Sequence, residues 1–387
     1  MKKAVVVGGS NGIGLAITRV LIDGGYHVCI LDRVQPDKEM LPASGAYSYF
    51  PCDLLRFDQL LFEQLSADAD VQLLMITAGF GRVAEFEYLH VAEIEKLLTV
   101  NTTSTIKIIR CFYERIKNSA PFYCGFMGSI AGWCSSPMFS VYAASKAAVC
   151  RFAESVNIEL EAGGYPNRIL DVSPGSIKGT RFNGGDNNLD QTAQLAQKIV
   201  DLLHSGETLY IPEYREIYKG VLERYHADPH EYGISSYEYK RASGRACNER
   251  RVCIGYLSGT FDLFHVGHLN LLKRAKEQCD YLIVGVHPDA SHKGKETFIP
   301  YEERLAVVGG VKYVDRAVQS FSEDSDAWNC WHFDKLFVGS DYKGSERFRR
   351  YEAFFEDKGV EIVYFPYTQS TSSTKIRENI IKKTVKE

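Results

Sequence analysis

The sequence predicts an α/β protein whose first part is a doubly wound parallel sheet and whose second part is a smaller α/β domain. Apolar runs of strand length alternate with helical patterns along most of the chain, which is typical of parallel sheets covered by helices. Twice, such a run ends in a turn containing glycine and leads into a helix, at Gly8 and at Gly259. With 387 residues, the chain is also too long for one ordinary core.

The composition argues against several classes of protein. Hydrophobic residues make up 45% and charged residues 24% of the chain, which are globular values, and a net charge of −4 offers no basic surface to nucleic acid. No apolar run is long enough for a signal peptide or a membrane span. The ten cysteines are scattered without CxxC pairs, so we expect reduced core residues of a cytoplasmic protein.

The first turn has the spacing of a dinucleotide-binding loop. Residues 2–9 form an apolar run that breaks into Gly8-Gly-Ser-Asn-Gly-Ile-Gly14, and an amphipathic helix follows. Glycines at these positions allow a tight turn, the approach of the backbone to a pyrophosphate and close helix–strand packing. The next strand, residues 27–31, ends in Asp32, about 20 residues after the loop, where an acidic side chain can hold a ribose 2′-hydroxyl.

Strands and helices continue to alternate through the first domain. Further strands are expected at 46–52, 71–78, 122–128, 168–173 and 208–212, and a helix at 214–225 closes the domain. Because helical patterns separate the strands, the sheet is predicted to be parallel with helices on both faces.

Residues 1–225 resemble the short-chain dehydrogenase/reductase family, whose fold is a Rossmann sheet. The glycine loop is similar to that family's TGxxxGxG pattern with Val7 in place of Thr, and Thr77-Ala78-Gly79 stands where NAG is usual. The resemblance implies a catalytic tetrad, in matching order and spacing, of Asn101, Ser129, Tyr142 and Lys146. It also implies contacts with an NAD(P) cofactor from Gly8, Ser10, Asn11, Gly12, Ile13, Gly14, Asp32, Arg33, Asp53, Leu54, Ala78, Gly79, Tyr142, Lys146, Pro174, Gly175, Ile177 and Thr180.

The tetrad also has a physical basis. Tyr142 and Lys146 are one helical turn apart and share a helix face. Lowering the pKa of a tyrosine from about 10 to near neutrality needs about 4 kcal/mol, which a neighbouring ammonium in a partly dry site can supply. Tyr142 would donate a proton to a carbonyl oxygen that Ser129 also binds, while Asn101 orders a water molecule. The alternative is that Tyr142 is one of 23 tyrosines and Lys146 a solvated charge.

Two adjacent residues give opposite indications about the cofactor. Asp32 would repel a 2′-phosphate by up to about 4 kcal/mol at an effective dielectric near 20, which favours NADH. Arg33 follows, and an arginine there can bind the 2′-phosphate of NADPH.

Farther along, residues 182–188 are polar and form either a lid over a polyhydroxylated substrate or an ordinary loop, with Lys178 and Arg181 as candidate phosphate anchors.

A connection is expected between the two domains. Residues 226–250 are rich in Tyr, Ser, Gly, Glu and Arg and have no sustained apolar period, and their tyrosines suggest that the segment lies against a surface. The predicted organisation is therefore a reductase domain at 1–225, a linker at 226–250 and a second domain at 251–387.

The second domain opens with a strand at 252–257 and the stretch Gly259-Thr-Phe-Asp-Leu-Phe-His-Val-Gly-His268, which leads into a helix. His265 and His268 face the same way as that helix begins. A zinc pair is the alternative, but neither HExxH nor a cysteine pair accompanies the two histidines, so no metal site is predicted. The stretch resembles the GTFDxxHxGH signature of nucleotidyltransferases, and specifically of glycerol-3-phosphate cytidylyltransferases.

This second resemblance covers the chain from 251 to about 381. The expected elements after the first strand are a helix at 267–278, a strand at 281–286, helices at 301–309 and 346–357, strands at 335–338 and 360–365, and a last helix from Ser373. Arg304 also matches the family. The resemblance implies His265 and His268 as catalytic residues, Lys293 as the anchor of the substrate phosphate, and contacts with CTP from Gly259, Thr260, Phe261, His265, His268, Lys295, Asp341, Thr368, Ser372, Ser373 and Thr374.

Two departures from the family pattern concern the acceptor more than the reaction. Tyr367 replaces an arginine and Ser370 a glycine of the closing RTxGISTTxI segment, so one charged phosphate contact is missing. Residues 319–334 contain no Lys or Arg, although the glycerol-3-phosphate enzymes place a substrate lysine there. The expected reaction is Mg²⁺-assisted transfer of CMP with release of pyrophosphate.

A carbonyl reductase joined to a cytidylyltransferase suggests consecutive steps. We expect reduction of a ketose phosphate to a polyol phosphate, and then its activation to a CDP-polyol such as CDP-ribitol, for capsule or teichoic-acid-like polymers. The alternatives are CDP-glycerol synthesis beside an unrelated reduction, and a nucleotide-sensing protein with one inactive half. By analogy with both families, a homo-oligomer, either a dimer or a tetramer, is expected.

Overall fold

The computed structural model describes residues 2–42, 45–180, 182, 186–244, 246–248, 252–289, 296–366 and 376. The chain divides into two compact units, Met1–Arg250 and Arg251–Glu387. Within the described ranges, no helix is both long and apolar enough to cross a bilayer.

The first unit is built on a parallel sheet. Its strands are β1 (Lys3–Val7), β2 (His27–Asp32), β3 (Tyr47–Pro51), β4 (Val71–Ile76), β5 (Tyr123–Met127), β6 (Ile169–Val172) and β7 (Leu209–Tyr210). They are arranged in the order β3-β2-β1-β4-β5-β6-β7, and every neighbouring pair is parallel. The predicted doubly wound sheet is confirmed. The strand order reverses between β1 and β4, where such sheets bind ligands at the carboxyl ends of their strands.

Helices cover both faces of this sheet. They are α1 (Gly12–Asp23), α2 (Gln59–Ala67), α3 (Val91–Leu98), α4 (Ser104–Cys111), α5 (Tyr113–Ile116), α6 (Ser140–Ala162), α7 (Leu189–Ser205), α8 (Lys219–Ala227) and α9 (Pro229–Ala242). Alternate residues of β1 enter different cores, because successive side chains of a strand point to opposite faces. Val5 and Val7 pack with α2, α4 and α6, whereas Ala4 and Val6 pack with α1 and α7. A strand buried on both faces explains the unbroken apolar run at the start of the sequence.

The prediction of a linker at 226–250 was wrong, because most of this segment is helix α9 and it belongs to the first unit. Asp228 caps α9 by accepting hydrogen bonds from the backbone N–H groups of residues 230 and 231, and Pro229 is its first residue. The helix is held by polar contacts: Lys240 Nζ donates to Ser136 Oγ at 2.6 Å, and Tyr237 Oη to Glu85 Oε1 at 2.8 Å. A helix anchored in this way shows no apolar period.

The second unit has a smaller parallel sheet. Its strands are β8 (Ile254–Gly259), β9 (Tyr281–Val286), β10 (Arg316–Gln319), β11 (Lys335–Gly339) and β12 (Glu361–Phe365), in the order β10-β9-β8-β11-β12. The helices are α10 (Val266–Lys276), α11 (Tyr301–Gly309), α12 (Asp324–Trp331) and α13 (Glu346–Phe355). The strand β8 is therefore central, and the signature stretch leaves its carboxyl end.

Two elements of the second unit were not predicted. Strand β10 lies at the edge of the sheet and helix α12 is short and begins with acidic residues, so neither has a strong hydrophobic pattern. Helix α12 is instead fixed through its first turn. Asp324 is buried and accepts a hydrogen bond from Ser258 Oγ of β8 at 2.9 Å, while its own N–H donates to Tyr351 Oη at 2.8 Å. The last predicted helix, from Ser373, lies outside the described residues.

Candidate active sites

The glycine loop after β1 packs as tightly as the sequence indicates. Gly8 has a φ of 85°, and a Cβ on it would lie 2.5 Å from the backbone nitrogen of Ala78. A Cβ on Gly14 would overlap the carbonyl oxygen of Gly8. Glycine is therefore required at both positions, because any side chain would push the loop away from β4 or from helix α1.

Thr77 ties β4 to the same loop. Its hydroxyl lies 3.0 Å from the carbonyl oxygens of both Val7 and Gly8 and can donate to either. The sequence places threonine here where the family has asparagine. The Thr77 hydroxyl thus connects the end of β4 to the end of β1, a connection that a polar asparagine side chain would also make.

Asp32 closes the loop from the end of β2. Its carboxylate accepts hydrogen bonds from the backbone N–H groups of Ser10, at 3.1 Å, and Val34, at 3.2 Å. The Ser10 hydroxyl is buried and has no hydrogen-bond partner in the described part of the chain. A buried hydroxyl without a partner is costly, so it favours a polar ligand at this position.

These features fit a dinucleotide at the point where the strand order reverses. The loop carries glycine at its close contacts, the start of α1 favours a pyrophosphate, and Asp32 lies at the carboxyl end of β2, where a carboxylate can meet a ribose. Asp53 follows β3 and caps a short 3₁₀ turn through the N–H of residue 55, with Leu54 buried beside it. Thr180 lies above the loop, with its Cβ 3.4 Å from the position of a Cβ on Gly12.

Asn101 lies in a π-helical turn, Thr99–Thr103, between α3 and α4. Both of its amide hydrogens are in use: Nδ2 donates to the carbonyl oxygen of Phe80 at 2.9 Å and to Ser145 Oγ at 3.1 Å. Its Oδ1 accepts from the N–H of Phe80 at 3.1 Å. The side chain therefore fixes the loop after β4, and the amide oxygen keeps a second lone pair for the predicted water molecule.

Tyr142 and Lys146 lie together in the first turns of α6, and both are buried. Lys146 Nζ lies 5.7 Å from the centroid of the Tyr142 ring and donates to the carbonyl oxygen of Met127, at the end of β5, at 2.6 Å. Ser129 begins a 3₁₀ turn, and its hydroxyl forms a hydrogen bond with Tyr142. The structure thus brings together the four residues that the sequence assigns to the tetrad.

The acid–base properties of this pair differ from the prediction. Burial raises the pKa of Tyr142 to about 12, and the hydrogen bond with Ser129 opposes this shift. Burial also lowers the pKa of Lys146 to about 8, against the neighbouring Cys150 and Asp171. Desolvation is the largest cause of both shifts, because burial disfavours the phenolate of Tyr142 and the ammonium of Lys146 alike. Tyr142 is therefore protonated at neutral pH, which is the form that donates a proton to a carbonyl oxygen.

Aromatic rings surround the tyrosine. Phe139 stacks on Tyr142 with centroids 4.1 Å apart, and the Phe182 ring lies 5.6 Å away. A Cβ on Gly81 would lie 2.5 Å from the Tyr142 ring. These contacts hold the phenol in one orientation and shield it from water.

The segment after β6 lies close to Ser129. The carbonyl oxygen of Pro174 accepts from the N–H of Ile130 at 3.0 Å, and Thr180 Oγ1 donates to the carbonyl oxygen of Ile177 at 3.1 Å. A Cβ on Gly175 would overlap the hydroxyl of Tyr218. Tyr218 was not identified from the sequence, because nothing in its local pattern distinguishes it from the other tyrosines.

In the second unit, His265 and His268 stack at the start of α10 with ring centroids 4.0 Å apart. His265 Nδ1 accepts from the N–H of Gly267 at 3.0 Å, and His268 Nδ1 accepts from the N–H of His265 at 3.4 Å. These bonds place the hydrogen of each neutral imidazole on Nε2, which can donate to a phosphate oxygen. Burial lowers the pKa of His265 and so favours this neutral form.

The signature turn itself is strained. Phe261 and Leu263 have φ values of 53° and 51°, in the left-handed region that side chains disfavour. Asp262 lies between them, is buried, and accepts hydrogen bonds from the N–H groups of Phe298 and Ile299 at 3.0–3.2 Å. Sequence reasoning missed this residue, although its place inside the signature was a signal. The Thr260 hydroxyl is buried without a partner in the described residues, which again suits a polar ligand.

Arg304 holds the loops around this turn. It is 1% exposed, and its guanidinium donates to the carbonyl oxygens of Thr260, His287, Pro288 and Ile299 at 2.5–2.9 Å. The sequence identified Arg304 only by family resemblance. The structure shows a side chain that donates to backbone carbonyls of several loops, so it organises the site.

Asp341 follows β11 in a 3₁₀ turn, Ser340–Tyr342, at the same edge of the sheet as the signature. A Cβ on Gly339 would overlap its carboxylate.

The other predicted contacts of the second site lie outside the described residues: Lys293, Lys295, Thr368, Ser372, Ser373 and Thr374. So do Tyr367 and Ser370, which depart from the family pattern, and Arg181 of the first unit. Across the described ranges, no group of three or more His, Cys, Asp or Glu is placed to hold a metal ion.

Two family models match the chain. The short chain dehydrogenase model matches residues 2–190, and the cytidylyltransferase-like model matches residues 256–379. The glycerol-3-phosphate cytidylyltransferase of Staphylococcus aureus is 33% identical over 132 residues, covering 33% of this chain and 95% of that protein. The same enzyme of Bacillus subtilis is 33% identical over 126 residues, covering 32% and 92%.

Solved structures of short-chain dehydrogenases are also similar to the first unit. A short chain dehydrogenase from Burkholderia cenocepacia, solved in complex with NADP, has a TM-score of 0.49 and 21% identity, covering 61% of this chain and 99% of that chain. The two family models and the cytidylyltransferase relatives decide the assignment. The chain belongs to the short-chain dehydrogenase family in its first unit and to the cytidylyltransferase family in its second, and it is an enzyme that combines an oxidoreductase with a cytidylyltransferase.

Proposed function

We propose that the first unit reduces a ketose phosphate to a polyol phosphate and that the second unit transfers CMP from CTP to that phosphate. The products are a CDP-polyol, such as CDP-ribitol or another pentitol or hexitol, and pyrophosphate. The observation that carries the proposal is the presence of two assembled sites on one chain: Tyr142 with Ser129 and Lys146, and His265 with His268.

In the reductase site, the carbonyl carbon gains a hydride and its oxygen gains a proton. A nicotinamide cofactor supplies the hydride when it is bound. Tyr142 donates the proton, since burial keeps the phenol protonated and the surrounding rings fix its direction. The Ser129 hydroxyl binds the carbonyl oxygen, and the Lys146 ammonium stabilises the phenolate that remains.

The residues around the glycine loop hold the cofactor. The contacts proposed are those of Gly8 to Gly14 for the pyrophosphate, Asp53 and Leu54 for the adenine, and Pro174 to Thr180 for the nicotinamide. We propose NADH as the reductant, because Asp32 orders the loop with a carboxylate that would repel a 2′-phosphate. Arg33 is exposed and would bind that phosphate only after the repulsion is removed.

In the second site, an oxygen of the polyol phosphate attacks the α-phosphorus of CTP and pyrophosphate leaves. The Nε2–H groups of His265 and His268 donate to phosphate oxygens that gain charge in this step. Mg²⁺ enters with CTP as part of the substrate. Lys293 is proposed to hold the phosphate of the acceptor and Lys295 that of CTP, by resemblance to the family.

The relatives leave a second candidate for the acceptor. The Staphylococcus aureus and Bacillus subtilis proteins are described as glycerol-3-phosphate cytidylyltransferases, which supports CDP-glycerol as an alternative product beside an unrelated reduction. We favour a pentitol or hexitol because a chain that acts on glycerol 3-phosphate has no evident need of a joined reductase. The chemistry is proposed to take place in the cytoplasm, in a homo-oligomer, with products used for capsule or teichoic-acid-like polymers.

The test is a two-part assay on purified protein. NADH and NADPH oxidation is measured with a panel of ketose phosphates, and CTP consumption with the matching polyol phosphates and glycerol 3-phosphate. Mass spectrometry then identifies the nucleotide product. Oxidation of the cofactor by a pentulose or hexulose phosphate together with a CDP-polyol of the same carbon skeleton supports the proposal. CTP consumption with glycerol 3-phosphate alone would replace it by the CDP-glycerol alternative.

A further inference from the structure

A buried acidic residue lies behind the reductase tetrad, where the sequence analysis assigned no function. Asp171 is on β6, between β5 and the edge strand β7, where it is paired with Phe126 of β5, and only 2% of it is exposed. A Cβ on Gly128 would overlap its Oδ1, so the carboxylate lies against the backbone just after β5. Lys146 donates to the carbonyl oxygen of Met127, one residue before. The Lys146 ammonium therefore lies at Met127, the last residue of β5, and the Asp171 carboxylate lies at Gly128, the next residue.

The carboxylate is only partly satisfied by hydrogen bonds. Ser173 Oγ donates to Asp171 Oδ1 at 2.8 Å, whereas Oδ2 is buried without a hydrogen-bond partner in the described part of the chain. Burial raises the pKa of Asp171. The side chains of Cys150 and Ser173, as hydrogen-bond partners, and the positive charges of Lys146 and Arg151 oppose that rise. A buried carboxylate oxygen without a hydrogen bond is costly, and an interaction with a positive charge offsets that cost. Lys146, on α6, is a buried cation whose charge lowers the pKa of Asp171.

The same residue is connected to the loop that carries Ser129. Trp133 Nε1 donates to Ser173 Oγ at 3.1 Å, and Trp133 follows the 3₁₀ turn that begins at Ser129. The chain Trp133–Ser173–Asp171 therefore links the loop of the catalytic serine to β6. Cys150, one turn beyond Lys146 on α6, lies 3.7 Å from Ser173 Oγ and completes the buried polar cluster.

We propose that Asp171 is a positioning residue of the reductase: its buried negative charge keeps Lys146 in the ammonium form, and its bond with Ser173 holds the loop of Ser129. The inference rests on the proposed reductase function. Lys146 stabilises the phenolate that Tyr142 leaves behind only while it is charged. Without the carboxylate, the pKa of Lys146 falls further below its ordinary value, because burial already disfavours the charged form. The ammonium is then lost at a lower pH.

The test compares Asp171→Asn with the wild type and with Asp201→Asn as a matched control. Asp201 is exposed on α7 and accepts a hydrogen bond from Gln197 of the same helix, so the control removes a carboxylate outside the buried cluster. In the first measurement, kcat for carbonyl reduction is followed from pH 5.5 to 10. The pKa of Lys146 is about 8 in the wild type. We expect the alkaline fall of the Asp171→Asn profile to shift by about one pH unit to lower pH, which lowers kcat about fivefold at pH 8 and little near pH 6.

A second measurement does not need a substrate. Lysine labelled with ¹³C at Cε is titrated by NMR, and the Lys146 signal is assigned by its loss in Lys146→Arg. The signal should titrate about one unit lower in Asp171→Asn than in the wild type or in Asp201→Asn. If the buried amide prevents folding, Asp171→Leu removes the charge and fills the same space with an apolar side chain, and it should show the same shift.

The outcomes separate the inference from the proposed function. An unchanged Lys146 titration in a folded Asp171 variant overturns the inference, whatever the substrate. A loss of kcat that is equal at every pH, with an unchanged Lys146 titration, also overturns it and makes Asp171 a packing residue. A wild-type protein that reduces no ketose phosphate contradicts the proposed function, while the NMR titration still decides the role of Asp171.

Discussion

Replacing Arg304 by lysine should destabilise the second unit and abolish most CMP transfer. The guanidinium is 1% exposed and donates to four backbone carbonyl oxygens. A lysine keeps the charge but offers one nitrogen, which cannot reach acceptors spread over three loops, so at least two of the bonds are lost. At roughly 1.5–3 kcal/mol for each hydrogen bond to a charged group, the loss is about 3–6 kcal/mol. That is a large share of the stability of an ordinary domain.

The assay is thermal unfolding together with both activities, with Arg349→Lys as the control. Arg349 is exposed on α13, so its replacement should change little. In Arg304→Lys, the transition of the second unit should move down by about 10 °C or more, CMP transfer should fall, and carbonyl reduction should remain. If Arg304→Lys unfolds at the same temperature as Arg349→Lys and transfers CMP at the wild-type rate, the four bonds do not organise the site and the reasoning is refuted.

Three further predictions concern the chemistry. Tyr142→Phe removes the proton donor and should lower carbonyl reduction by at least ~10² without affecting CMP transfer. His268→Ala should lower CMP transfer without affecting carbonyl reduction. Loss of both activities in either folded variant would contradict two independent sites. Asp32→Ala should improve the use of NADPH relative to NADH by about tenfold or more, measured as the ratio of kcat/KM values, because the repulsion of the 2′-phosphate disappears. An unchanged ratio would show that the carboxylate does not face the ribose. Ketose phosphate, NADH, CTP and Mg²⁺ together should give CDP-polyol, and omission of NADH should stop CTP consumption; formation of a CDP-ketose at an equal rate would reverse the order of the two steps.

Much of the architecture could be predicted because the spacing of apolar residues along the chain follows the periodicity of helices and strands. Strands β1, β2, β4, β5 and β6 appear as short apolar runs, since a parallel strand inside a sheet is buried on both faces. The start of α10 is similarly clear, because two histidines at this spacing cap the helix and stack on the same side. Helix α9 was missed since its contacts are polar, although Asp228 and Pro229 are an ordinary signal for the start of a helix.

The sequence by itself determined most of the strands and the two signature turns, because each depends on residues close together in the chain. Only the tertiary structure decided how those residues behave. The pKa values of Tyr142 and Lys146 are set by burial beneath elements distant in sequence. The hydrogen bonds of Asn101 with Phe80 and Ser145 depend on how a π-helical turn, a loop and helix α6 meet. Arg304 and Asp171 take their roles from carbonyl and carboxylate groups that folding brings to them, and no local pattern encodes the depth at which a charge is buried.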